Sequence, residues 1–553
     1  SMIADIHITE KSFGDKTLMK DVKFSVDDGE KVGVVGRNGV GKSTLFGILA
    51  GMDNDYTGEV VFRRGITVAT TAQEHHGLGE QTVMAYILSG LPEYPELKKI
   101  IYEYPLTMGD NMRKIEEYTQ ALERFDQKGF YQVEEKIERE LSNFQLEGFG
   151  DRKISSLSGG QKRLVEIVKI MHSEAHLALI DEPTNHMDYV AKQQFIDWMN
   201  SQPHQAMLII THDRDVLGQV DRIVEIKDGQ AVSYRGNYDA YLKQNAQATT
   251  AGMNNFEQIE KRIVNLKQKV LDYQRLKEKS RNPGTIQKFK RLENEARAEL
   301  AELSEMEKPT FWIDKESASQ LDYKSAERYG KFKSRNIRLS MKDASSRSQH
   351  VLVRAENVAV GIGERILFED VNIDLREGEA IEIRGRNGAG KTTLIRMILA
   401  SGKSFDSGPV LYSGDIFLDP QVRIGVYEQE IDERYLSDPL EKAIEKLYMS
   451  RDLSISDTKI RQLLADYLFT DADRMTPLAR LSGGQKARFQ IIAMLANDPQ
   501  LLILDEPTNH LDLPSIEELE TALAKYSGAI LYVSHDNYFR EKLGGKVVQI
   551  GAE

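Results

Sequence analysis

The sequence predicts an α/β protein of two tandem domains joined by an antiparallel α-helical hairpin, on three observations. Phe13–Thr44 aligns without a gap with Ile362–Thr393. The hexapeptide DEPTNH occurs at Asp181–His186 and again at Asp505–His510, each time on the end of an apolar run. Between these copies lies a heptad-spaced segment that neither half repeats. Internal self-similarity marks a duplicated unit. A chain of 553 residues also exceeds the roughly 250 to 300 residues at which a single core stops growing.

In each copy an apolar strand pattern, KVGVVG or AIEIRG, runs into a glycine-rich loop and then a helical pattern. That order predicts a mostly parallel sheet with ligand at the strand ends. The loops read G-x-x-x-x-G-K-[ST] at Gly36–Ser43 and Gly385–Thr392. Gly36, Gly39 and Gly41, with Gly385, Gly388 and Gly390, let backbone amides close around phosphate oxygens. Lys42 and Lys391 reach the outer phosphates, and the hydroxyls of Ser43 and Thr392 suit Mg²⁺. Asn38, Thr44, Asn387 and Thr393 complete the two nucleotide-binding sets.

DEPTNH follows from the same chemistry. A strand that ends in two carboxylates brings Asp181 and Asp505 to the Mg²⁺ and leaves Glu182 and Glu506 to orient or deprotonate a water. Further along, the strands AMLIIT and AILYVS end at His212 and His535, where an imidazole contacts the γ-phosphate. A third element, LSGGQ, occurs at Leu157–Gln161 and Leu481–Gln485. Ser158, Gly159 and Gly160, with Ser482, Gly483 and Gly484, open helices whose first amides face phosphate.

With these elements assembled, each half resembles an ATP-binding cassette (P-loop NTPase) domain, and the chain as a whole resembles the ABC-F proteins. The resemblance implies ATP and Mg²⁺ as ligands and ATP hydrolysis as the activity. It implies composite sites: Lys42, Ser43, Gln73, Asp181, Glu182 and His212 face Ser482 and Gly484, while Lys391, Thr392, Gln429, Asp505, Glu506 and His535 face Ser158 and Gly160. Gln73 and Gln429 match the family's metal-sensing glutamine loop, so the metal sets read Ser43, Gln73, Asp181 and Thr392, Gln429, Asp505. Phe13 stacks on adenine at the first site. Its register partner is Ile362, which offers no π face and sets the two sites apart.

The unrepeated parts point to the target. From Gln73 to Ser158 the chain runs about 32 residues longer than from Gln429 to Ser482, an addition that reads as charged amphipathic helices (about 80–145) and resembles the family's ribosome-directed arm. Phe256, Ile259, Ile263, Leu266, Val270 and Tyr273 form a heptad seam; after Arg281–Gly284 a second set follows, Phe289, Leu292, Ala296, Leu300 and Leu303. A first helix of some 28 residues would reach about 42 Å. From Lys261 to Arg291 there are eleven Lys or Arg against two acids. Such polarisation toward the tip points to an anionic partner, with Lys277, Lys279, Arg281, Lys288, Lys290 and Arg291 as RNA contacts.

Composition excludes several other classes. The chain has no cysteine, so disulfides and zinc fingers are excluded. The net charge of −13 argues against a protein that coats nucleic acid all over, and no DNA partner is expected. No apolar stretch approaches the roughly 20 residues that span a bilayer, and the start SMIADIHITE carries no signal segment. A cytoplasmic monomer with intramolecular cassette pairing is expected.

The domains expected are 2–242 (first cassette with its arm), 243–310 (hairpin), 311–350 (connection) and 351–553 (second cassette). The partners implied by the resemblance are the ribosome's 23S rRNA, tRNA and large-subunit proteins, near the tRNA exit site, with the linker toward the peptidyl-transferase centre. The function implied is modulation of elongation, nearest the short-linker translational-throttle type; the alternatives are a ribosomal protection protein or the ATPase subunit of a membrane transporter.

Overall fold

Every strand on which a phosphate loop or acidic pair is built is a short run buried on both faces, and that burial fixes its place inside a parallel sheet. In the computed structural model, which describes residues 1–37, 39–71, 79–304, 350–402, 408–467, 469 and 471–551, the first such sheet orders its parallel strands Val68–Thr70, Leu177–Asp181, Ala206–Ile210, Lys31–Val35 and Arg222–Lys227. Gln230–Arg235 closes its edge antiparallel. The second sheet orders Ile424–Val426, Leu501–Asp505, Ala529–Val533, Ala380–Arg384 and Lys546–Gln549, all parallel.

Each cassette adds an antiparallel sheet on one side of its central sheet. In the first, Met2–Phe13 pairs with Lys16–Met19, Val22–Asp27 and Thr57–Phe62; in the second, Val351–Ile362 pairs with Arg365–Arg376 and Val410–Leu418. The alternating burial of Met2–Phe13 puts Ile3, Ile6 and Ile8 into a core shared with Val32, Val34 and Leu45. Strand, glycine loop and the following helix are thereby held from both sides.

The inserted arm consists of helices Tyr94–Thr107, Met112–Gln127 and Val133–Asn143. Its base is continuous with the first cassette's core. Tyr94, Phe125 and Phe130 meet edge to face or tilted, with ring centroids 5.2 to 5.7 Å apart, and join Tyr86 and Leu164.

Between the cassettes, helix Tyr238–Lys279 pairs with helix Pro283–Ser304. Leu266 and Val270 bury against Ala296, the rings of Tyr273 and Phe289 stack at 6.4 Å, and Arg262 binds Glu299 at 3.0 Å, so the two helices run antiparallel. The first helix has 42 residues, not the 28 read from the seam. Asn237 caps its N-terminus by accepting from the Ala240 amide at 3.2 Å, and Tyr238 and Tyr241 anchor the first turn in a core. The helix therefore passes through the expected boundary at 242/243. The connection expected at 311–350 lies outside the described residues, except for His350.

The Lys277 amine binds Glu293 at 2.9 Å across the helix pair. Lys279, Arg281, Lys288 and Lys290 are exposed. Arg291 is exposed as well and lies 3.9 Å from Glu295. Among the described residues no helix is long and apolar enough to cross a membrane.

Candidate functional site

Gly41 and Gly390 turn each phosphate loop into its helix at φ 100° and 103°, a left-handed geometry that a side chain resists. The helices Lys42–Leu49 and Lys391–Leu399 then present their first-turn amides to the loop. Lys42 Nζ donates to the Gly36 carbonyl at 2.6 Å and the Arg37 carbonyl at 3.3 Å; Lys391 Nζ donates to Gly385 at 2.6 Å and Arg386 at 3.0 Å. Burial pulls both amines below the usual lysine pKa. Each is thus a desolvated cation inside a ring of backbone, the donor set that a phosphate oxygen fits.

At the strand ends the hydroxyls and carboxylates converge. Ser43 Oγ lies 3.4 Å from Asp181 Oδ2, and Thr392 Oγ1 2.8 Å from Asp505 Oδ2. This is an all-oxygen pairing that suits a hard cation such as Mg²⁺. Gln429 donates to the Glu506 carbonyl, beside the second pair. Gln73 and Asn38 lie outside the described residues. Thr44 and Thr393 follow the hydroxyl residues in the first helical turn, and Gly39 and Gly388 have open space where a Cβ would stand.

Glu182 and Glu506 both hold left-handed backbone, at φ 45° and 46°. Strain of this kind is held in place by what surrounds it: the Glu182 amide donates to Ile210 at 2.8 Å and the Glu506 amide to Val533 at 2.9 Å. His212 Nε2 stands 3.2 Å from Glu182 Oε1, and His535 Nε2 stands 2.9 Å from Glu506 Oε1. Burial raises the Glu182 carboxyl to about 7, against the opposing pull of Lys42. Burial also holds His212 neutral, with Lys42 adding to the effect. Its Nδ1 is buried without a hydrogen-bond partner among the described residues.

Ser158 and Ser482 form reciprocal capping boxes with Gln161 and Gln485. The hydroxyl accepts from the glutamine amide at 3.2 Å in both, and the glutamine side chain accepts from the serine amide at 2.9 and 3.1 Å. The cap leaves the amides of Gly159, Gly160, Gly483 and Gly484 in the first turn, where no helical carbonyl reaches them.

The second phosphate loop docks on the first cassette. Arg386 binds Asp188 at 3.0 Å, the Asn387 amide donates to Asp188 at 3.1 Å, and Gln145 donates to the Asn387 carbonyl at 2.6 Å. Asn387 also reaches the His186 carbonyl at 3.4 Å, and the His186 ring covers Gly160. In the mirror position Asp512 lies against Gly483 and acts on Lys42 and His212. Glu182, His212, His510 and His535 line one cleft of about 240 Å³ between the cassettes. Phe13 and Ile362 sit at the exposed rim, 70% and 47% accessible.

Motif spacing alone does not assign Asp188, Asp512 and Arg386, although the repeat carries all three: it continues past DEPTNH as MD and LD, and Arg386 repeats Arg37 in GRNG.

A family model described as ABC transporter matches residues 19–185 and 368–509. The chain is similar to a putative ATP-binding protein, YdiF, of Bacillus subtilis (strain 168), 30% identical over 566 residues, covering 100% of this chain and 80% of the relative. It is 29% identical to ABC transporter F family member 2 of Arabidopsis thaliana, over 98% of this chain and 75% of the relative. It is 28% identical to the energy-dependent translational throttle protein EttA of Mycobacterium tuberculosis, over 96% of this chain and 88% of the relative.

Proposed function

The chain belongs to the ABC transporter family of ATP-binding cassette proteins, in its ABC-F branch, and hydrolyses ATP with the family's Mg²⁺; from that premise we propose that it is a cytoplasmic, ribosome-binding ATPase that modulates translation elongation. The observation that carries the reading is the antiparallel helix pair that projects a basic tip, with Lys279, Arg281, Lys288 and Lys290 exposed, from a protein of net charge −13. A sequence-independent charge contact of this kind fits a phosphate backbone. The name of the relative EttA places that protein in translation. The partners proposed are 23S rRNA, tRNA and large-subunit proteins, near the tRNA exit site, with the hairpin directed at the peptidyl-transferase centre.

In the two ATP sites, Lys42 and Lys391 hold the outer phosphates from inside their loops. The metal sets would be Ser43, Asp181 and Gln73, and Thr392, Asp505 and Gln429. Mg²⁺ bound there supplies neutralisation of phosphate charge. Glu182 and Glu506 orient the attacking water and take its proton, and His212 and His535 hold those carboxylates. Ser158 with Gly160, and Ser482 with Gly484, close the opposite site through helix-end amides.

A base must be ionised to act, and burial pushes the Glu182 carboxyl up to about 7. In a Glu506→Gln variant, whose turnover comes from the first site, kcat/KM for ATP is expected to rise with pH through a midpoint near 7, falling about tenfold per pH unit on the acid side. A flat profile across that range would count against Glu182 as the base.

The test of the ribosome reading is sedimentation of a Glu182→Gln, Glu506→Gln variant with ribosomes in ATP. It is expected to pellet with them. Adding Lys279→Gln, Arg281→Gln, Lys288→Gln and Lys290→Gln should weaken binding and reduce the salt slope by about one for each phosphate that is no longer neutralised. A protein that stays in the supernatant at low salt would sink the proposal.

A further inference from the structure

We propose that Lys192 of the first cassette is a positioning residue for the second ATP site, holding the loop that carries His535, and that among the described residues no lysine of the second cassette holds the His212 carbonyl in the same way. The inference rests on the assignment of Glu506 and His535 to that site.

Lys192 lies on helix Tyr189–Asn200 of the first cassette, with its side chain 4% exposed. Its amine donates to the His535 carbonyl in the other cassette. The same amine binds Asp215 Oδ2 at 2.5 Å and lies 3.4 Å from Asp213 Oδ2, so its charge is balanced from within its own cassette. Asp215 in turn accepts from the Asn537 amide at 3.1 Å. Arg214 donates to Asp536 at 2.9 Å. Three consecutive residues after the strand Ala529–Val533 are therefore each bound by a group from the first cassette.

The imidazole of His535 depends on that backbone. From its fixed carbonyl the ring reaches Glu506 Oε1 at 2.9 Å and Asn387 Oδ1 at 3.3 Å. Lys192 itself contacts the loop backbone and two carboxylates, so its effect on chemistry passes through where His535 sits.

Alignment of the duplicated motifs shows the asymmetry. Counting from DEPTNH, the residue in register with Lys192 is Ile516; counting from the histidines, Arg214 is matched by Asn537 and Asp215 by Tyr538. Ile516 is 2% exposed, in an apolar core with Leu217 and Tyr238. The fold thus packs this helix position without a charge in one copy. A buried ammonium is costly unless paired and hydrogen-bonded, and in the other copy it is retained with its bond directed across the interface.

The experiment compares Lys192→Met in two backgrounds of the full chain. With Glu182→Gln, turnover reports the second site, and kcat is expected to fall on the order of tenfold or more, as small displacements of reacting groups do, with KM for ATP unchanged. With Glu506→Gln, turnover reports the first site and should fall clearly less than at the second, since Lys192 reaches the His212 loop only through the side chains of Asp213 and Asp215 while it holds the backbone carbonyl of His535 itself. Lys192→Met leaves carboxylates without their cation, so a second variant, Lys192→Met with Asp215→Asn, removes the pair together; the same split between sites is expected. Equal losses in both backgrounds, or no loss in either, would overturn the inference while leaving the two-site reading intact. Absence of turnover in both backgrounds with Lys192 present would overturn the two-site reading and this inference with it.

Discussion

Replacing Glu182 and Glu506 together by glutamine is expected to lower ATP turnover by about 10²- to 10⁴-fold, the usual contribution of a general base, while ATP binding persists. Glutamine keeps the size and shape of glutamate, so the left-handed backbone at both positions and the amide bonds to Ile210 and Val533 have no reason to move. What it loses is the capacity to take a proton. The groups that hold phosphate, Lys42 and Lys391 within their glycine loops, are untouched. Phosphate release measures the loss, and equilibrium binding of ATP measures what is kept. Turnover within tenfold of the native chain would remove the two glutamates from the role of base.

The second large effect is one of stability. Arg214 is 1% exposed and spans the cassette interface, binding Glu520 and, at 2.9 Å, Asp536, with its guanidinium 5.3 Å from the Tyr538 ring. Breaking a buried ion pair by removing one partner costs about 3 to 5 kcal/mol, because the abandoned charge stays buried. Glu520 keeps Lys542 as a partner, so the charge left open to this penalty by Arg214→Met is that of Asp536. Asp536 also caps the helix Asn537–Leu543, accepting from the Phe539 amide at 3.1 Å. Adding Asp536→Asn removes the charge and keeps a good cap. Urea unfolding should show a lowered midpoint for Arg214→Met and a partial recovery in the double variant. An unchanged midpoint in the single variant would mean that the network contributes nothing to stability.

Much of this was legible in the residues because it is local. A glycine loop, its lysine and its hydroxyl lie within eight positions of sequence and of space, since a strand-to-helix turn leaves them nowhere else to go. DEPTNH is legible for the same reason, as an apolar strand delivers its last residues to the sheet edge. The seam of the hairpin shows in its heptad spacing. Its length did not, because helix Tyr238–Lys279 starts where Asn237 caps it and where Tyr238 finds an apolar surface, and neither leaves a periodic trace. The charge count marks the stretch as basic but cannot show that Lys277 has an acidic neighbour on the facing helix. Only the antiparallel partner supplies Glu293.

By itself the sequence determined the duplicated α/β units, their phosphate loops and acidic pairs, and the basic hairpin between them, since each of these follows from spacing along one strand, turn or helix. Tertiary structure decided which groups meet across the cassettes: Arg386 with Asp188, Arg214 with Asp536, Lys192 with the His535 carbonyl. Those partners lie far apart in the chain and belong to different copies of the repeat. Their meeting depends on how two folded surfaces seat against each other, which no local period encodes. The same duplication that makes the sites readable as equals hides the difference at the place that Lys192 and Ile516 share, where a buried charge in one copy and a buried aliphatic side chain in the other make the two halves physically unlike.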